Sequence, residues 1–150
     1  MPLTTYARQQ IIKSTVGKTY FGNDGGDGFF LALSSTEPDV YGGNIAEPSA
    51  SAGYSRPQLN QSLFSGEAIF PPNASYDPVN DVYSYTNVAD IVFPEATSGW
   101  GTLSYFAIYD RKSGGNMIAY GSLATPITPQ VNTVPIVRAR QMTISEEQAA

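Results

Sequence analysis

Asp77, Asp81, Asp90 and Glu95 are the closest group of acids in the chain, and two carboxylates facing across a cleft are what glycoside hydrolysis requires. With 13 acidic residues among 150, some grouping arises by chance, and most of these acids stand beside Pro, Gly or Asn, where they serve turns. Other catalytic routes are closed by composition. The absence of His removes the commonest general base and the central member of a Ser-His-Asp triad. The absence of Cys removes thiolate nucleophiles, disulfides and zinc sites built from nitrogen and sulfur ligands. Gly17-Lys18-Thr19 matches the end of a phosphate-binding loop, but the motif's first glycine falls on Ile12, so Gly17 reads as a helix stop. In Gly22-Asn23-Asp24-Gly25-Gly26-Asp27-Gly28, Asp24 and Asp27 with one Asn offer few oxygens for a hard cation, and a flexible or partner-ordered loop is the plainer reading. The sequence therefore predicts a non-enzymatic protein with no catalytic, cofactor-binding or metal-binding residues.

Adhesion is the chemistry that remains. The ten tyrosines offer large, rigid contact surfaces with polar tips. Tyr83 and Tyr85 share one strand face, Tyr105 and Tyr109 share another, and Tyr120 lies on a third predicted strand. Such residues serve a core and ordinary surface, a subunit interface, or a platform for sugar rings. Trp100, between Gly99 and Gly101, reads as a core anchor for a turn. Charged residues make up 14% of the chain against a usual figure of about 25%, which favours a surface covered by assembly. A net charge of −5 with scattered basic residues argues against nucleic acid. Arg138 and Arg140, at period-two spacing, are expected on one strand face. No apolar run approaches the roughly 18 residues that cross a bilayer, and Met1-Pro2-Leu3-Thr4-Thr5-Tyr6 does not read as a signal peptide.

The elements expected to position these residues are mostly short strands. Residues 1–150 read as a single domain, with an N-terminal helix or arm over 1–20 and a β body over 28–146. Thr5 to Val16 has helical apolar spacing, with Thr4 or Thr5 as cap. Phe29–Leu33 is a buried strand, Ser34–Gly53 a long loop, and Tyr54–Asn60 an extended edge segment limited by Pro57. Phe70 to Pro78 reads as irregular, and Val82–Thr86 and Asp90–Phe93 as strands. Leu103–Tyr109 and Met117–Gly121 form a hairpin across Gly114-Gly115, and a last strand is expected from Ala139. The pattern predicts an all-β fold, an antiparallel β-sandwich or barrel-like domain with one short N-terminal helix and long loops.

Three segments carry a family resemblance. They are Phe29-Phe30-Leu31-Ala32-Leu33-Ser34-Ser35-Thr36-Glu37-Pro38, then Gly53-Tyr54-Ser55-Arg56-Pro57, then Phe93 to Thr102 with Phe106-Ala107-Ile108-Tyr109-Asp110 and Gly114-Gly115-Asn116 through Gly121. In this order they resemble a family of small tailed-bacteriophage virion proteins labelled tail-fibre or structural proteins. The chain departs from that pattern at Tyr105, where a His is usual, and in the stretch Ser34–Gly53. The resemblance implies a structural, oligomeric component of a phage particle, assembled in the host cytoplasm. Its partners would be other copies of itself and neighbouring virion proteins: the major capsid protein for a decoration or cement protein, tail or baseplate proteins for a fibre. A carbohydrate-binding receptor-recognition module is the alternative, and a carboxylate hydrolase a third class.

Overall fold

A computed structural model describes residues 4–7, 9, 29–59, 75–79, 82–87 and 90–146. Among the described residues there are eight strands: β1 (Phe30–Ser34), β2 (Ser75–Asp77), β3 (Val82–Thr86), β4 (Ile91–Val92), β5 (Leu103–Tyr109), β6 (Met117–Ile127), β7 (Ile136–Val137) and β8 (Thr143–Glu146). They pair antiparallel in three small sheets, ordered β1-β5-β6, β2-β3-β8 and β4-β7, so the predicted all-β class is found.

The β1-β5-β6 sheet organises the centre because its strands are apolar on both faces. Leu31 and Leu33 pair with Ile108 and Phe106, on the side of the main core. Ala32, Ala107, Tyr109 and Met117 form a second, smaller cluster on the opposite side, with Ile45 and Tyr120 packed against it. A strand buried on both faces reads as a continuous hydrophobic run, which is why β1 was legible without alternation. The main core adds Tyr54, Phe93 and Trp100, whose rings meet at centroid distances of 5.3 to 6.1 Å. Trp100 lies in this core, its indole N–H donating to the Ala52 carbonyl at 2.9 Å.

Several elements differ from expectation. Ser75–Asp77, within the stretch read as irregular, is strand β2, paired with β3 across a turn that begins at Pro78. Strand β6 continues past Gly121 to Ile127. The last strand starts at Thr143 because residues 139–140 form a turn with Arg140 at φ 70°, which breaks the period-two relation of Arg138 and Arg140. Of the expected Tyr54–Asn60 segment, the described residues 54–59 touch β1 through one isolated bridge, Phe30 to Gln58; the Leu31 N–H donates to the Pro57 carbonyl and the Leu59 N–H to the Phe29 carbonyl, which covers the β1 edge.

At the N-terminus, residues 5–7 and 9 are helical, and the remainder of the predicted helix lies outside the described residues. Thr4 caps it by accepting the Ala7 N–H at 3.2 Å, while its hydroxyl donates to the Met117 carbonyl at 2.5 Å. One side chain thus starts the helix and ties it to β6. The stretch Ser34–Gly53 is tightly bonded. Ser34 Oγ accepts the Ala46 N–H and Asp39 Oδ1 accepts the Tyr41 and Gly43 N–H groups, and a 3-10 turn at Ala50–Ala52 ends at Gly53.

Candidate functional site

Among the described residues, a buried ion pair joins the Ser34–Gly53 loop, the segment after it and the β5–β6 hairpin loop. Arg56 is 7% exposed. Its Nε and Nη2 donate to the two oxygens of Glu47, each at 2.8 Å. Its Nη1 donates to the main-chain carbonyls of Arg111 at 3.0 Å and Gly114 at 2.8 Å. The guanidinium also lies over the Tyr109 ring, 3.7 Å from its centroid. Tyr54 completes the group: its hydroxyl donates to Glu47 at 2.5 Å and accepts the Leu33 N–H at 3.2 Å.

Local sequence explains each placement. Gly53 ends the 3-10 turn at φ 87°, and a Cβ there would meet the Glu95 carbonyl at 2.4 Å, so only glycine fits. That reversal sends Tyr54 into the core and, two residues on along extended backbone, points Arg56 at the hairpin loop. The loop is closed by Asp110, whose carboxylate accepts the Asn116 N–H at 2.7 Å and the Asn116 side-chain amide at 3.1 Å. Gly115 at φ 77° lets Asp110 approach, since a Cβ there would lie 2.5 Å from its Oδ1.

Electrostatically this group is committed. Burial would raise the Glu47 carboxyl, but hydrogen bonds from Arg56 and Tyr54 and the Arg56 charge outweigh it and hold it below its usual value. Burial and the Glu47 carboxylate push the Tyr54 phenol above its ordinary value. Burial disfavours the Arg56 charge, yet bonding to Glu47 raises its value. Burial likewise raises Tyr109. A depressed carboxyl with its oxygens occupied is a poor general acid. The arrangement locks three chain segments together.

Beside this lock lies a cleft of about 300 Å³, with Tyr6, Tyr41, Tyr109, Asn116 and Met117 among its walls. Tyr41 is 85% exposed at its rim.

Asp90 accepts the Ala139 N–H at 2.8 Å and pairs with Arg138 at 3.4 Å, and Glu95 is exposed in the turn before Trp100. Asp77 is on β2, and Asp81 lies outside the described residues, as do Gly17-Lys18-Thr19, Asp24 and Asp27. Among the described residues no three acidic side chains gather as a metal set, and no helix is long and apolar enough to cross a membrane. Sequence reasoning missed Glu47, which it left within the long Ser34–Gly53 loop, and gave Arg56 no role. The available signal was a lone cation between Tyr54 and Pro57 in a chain of low charge.

No curated protein matches the chain. The family described as "Podophage GP4 fiber I protein gp80" matches residues 2–145, a span that includes Glu47, Arg56 and the hairpin loop they fasten. The chain belongs to this podophage fibre family, whose members are virion-associated structural proteins.

Proposed function

We propose that the chain is a non-enzymatic, oligomeric fibre subunit, folded as one domain, that holds its place on the virion by burying apolar and tyrosine-bearing surface against copies of itself and neighbouring tail or baseplate proteins. The observation that carries this reading is the commitment of the interior polar groups. Among the described residues, the buried polar side chains of Thr4, Ser34, Arg56, Asn87 and Asp110 all bond within the chain. Such an interior supports a rigid scaffold rather than a reacting centre. The family match favours the tail over capsid decoration.

Quantitative mass spectrometry of purified particles tests it. A copy number in threes, sixes or twelves is expected; hundreds of copies would indicate head decoration, and absence from particles would end the proposal.

The cleft beside Tyr41 favours one second reading, a carbohydrate-binding module for receptor recognition. An exposed Tyr at the rim of a tyrosine-lined cleft is a stacking surface for a sugar ring. Binding of the purified protein on a glycan array, abolished by Tyr41→Ala with the fold intact, would support it; a blank array would not.

A further inference from the structure

The ribbon formed by β4 and β7 has two faces of different character. Ile91 pairs with Val137 and Val92 with Ile136, and the Phe93 N–H bonds to the Pro135 carbonyl. Ile91, Phe93, Pro135 and Val137 point inward and are buried. Val92, Pro94, Val134 and Ile136 alternate with them and point outward; Val92 is 55% and Val134 51% exposed. Outward positions on a half-buried antiparallel ribbon ordinarily carry polar residues. Here they carry apolar ones, three of the four β-branched, and the face runs into a groove of about 460 Å³ between Val92–Pro94 and the segment 55–58. At one end the same face carries an exposed ion pair, Asp90 with Arg138, at 3.4 Å.

We propose that a second copy of this chain docks on this face. The charge pattern selects that occupant. The whole chain carries −5, so two copies repel over most of their surface. This face bears the Asp90–Arg138 pair with one further exposed cation, Lys112, on the groove wall, so it carries no net negative charge to repel a second copy, and its ion pair complements itself. A long, exposed ion pair contributes little within one copy, so Asp90 and Arg138 can exchange partners with those of the neighbour when the valines meet. Strands as short as β4 and β7 offer little edge for strand addition, so the contact is face to face, with a valine of one copy entering the groove of the other.

This inference rests on the oligomeric reading above, and the test separates the two. Association of the full chain is followed by native mass spectrometry and sedimentation, with circular dichroism as the check on folding. Val92→Lys and Val134→Lys alter exposed positions and should each weaken association at least about tenfold with the β spectrum retained. Asp90→Arg and Arg138→Asp place like charges on the face and should each assemble poorly alone. Mixed together they should assemble, because one then presents two cations and the other two anions. An oligomer that persists in Val134→Lys, or charge variants that gain nothing on mixing, would overturn this face while leaving oligomerisation standing. A wild-type chain that stays monomeric at high concentration would overturn both.

Discussion

Arg56 and Glu47 illustrate how a buried ion pair acts in a small fold. Removing both charges from water is expensive, and their attraction with the flanking hydrogen bonds roughly offsets that cost, so the intact pair adds little net stability. Cutting it is another matter. Arg56→Ala leaves Glu47 buried without its cation and frees the carbonyls of Arg111 and Gly114, and should cost about 3–5 kcal/mol in urea denaturation. Replacing both partners with apolar residues of similar size should cost clearly less than the sum of the single changes. The same group sets the pH profile. The folded value of Glu47 is lowered, so its contribution is present above the unfolded value near 4.5 and drains away as pH falls through the folded value. The folded value of Tyr54 is raised, so its contribution is present below 10.0 and is lost as pH rises beyond it. Stability should therefore be flat between these limits and fall outside them; Glu47→Gln should flatten the acid limb of a urea-midpoint profile.

Turns and strands are the scale at which glycine positions can be compared. Gly53 and Gly114 both have positive φ, but a Cβ at Gly53 meets the Glu95 carbonyl while one at Gly114 meets open space. Gly114→Ala should cost about 1 kcal/mol from the backbone alone. Gly53→Ala adds a backbone collision and should cost about 3 kcal/mol or more. Thermal unfolding of the two variants side by side reads the difference. Strands β1, β3, β5 and β6 were legible in the sequence because apolar and β-branched runs bounded by turn residues report burial directly. Strand β2 was hidden by the prolines around it, and the turn at residues 139–140 by a run that alternates like a strand until Arg140 takes a left-handed conformation. The lock was illegible for a different reason. Glu47, Arg56 and the loop at 110–116 meet only once the chain has folded, and no local period links them. The family resemblance flagged Gly53-Tyr54-Ser55-Arg56 as a string, and the geometry supplies its reason: glycine for the reversal, tyrosine and arginine for the two sides of one carboxylate.

The whole molecule depends on pairings distant in sequence. Phe30–Ser34 lies against Leu103–Tyr109, so the central sheet cannot form until most of the chain has been brought back on itself. Folding should therefore run on the slow, millisecond-to-second side for a domain of this size. The single Trp, buried among Tyr54 and Phe93, reports the event directly: stopped-flow fluorescence should show its emission change with the main refolding phase, and microsecond refolding would contradict the topology. The way Arg56 holds the hairpin loop has a practical corollary. It grips carbonyls, which every residue type carries, whereas the side chains of Lys112 and Ser113 stand exposed between the two gripped positions. Ser113, which does not line the groove beside Val92, can be rewritten with little structural penalty, making the loop tip a natural address for a fluorophore or short epitope.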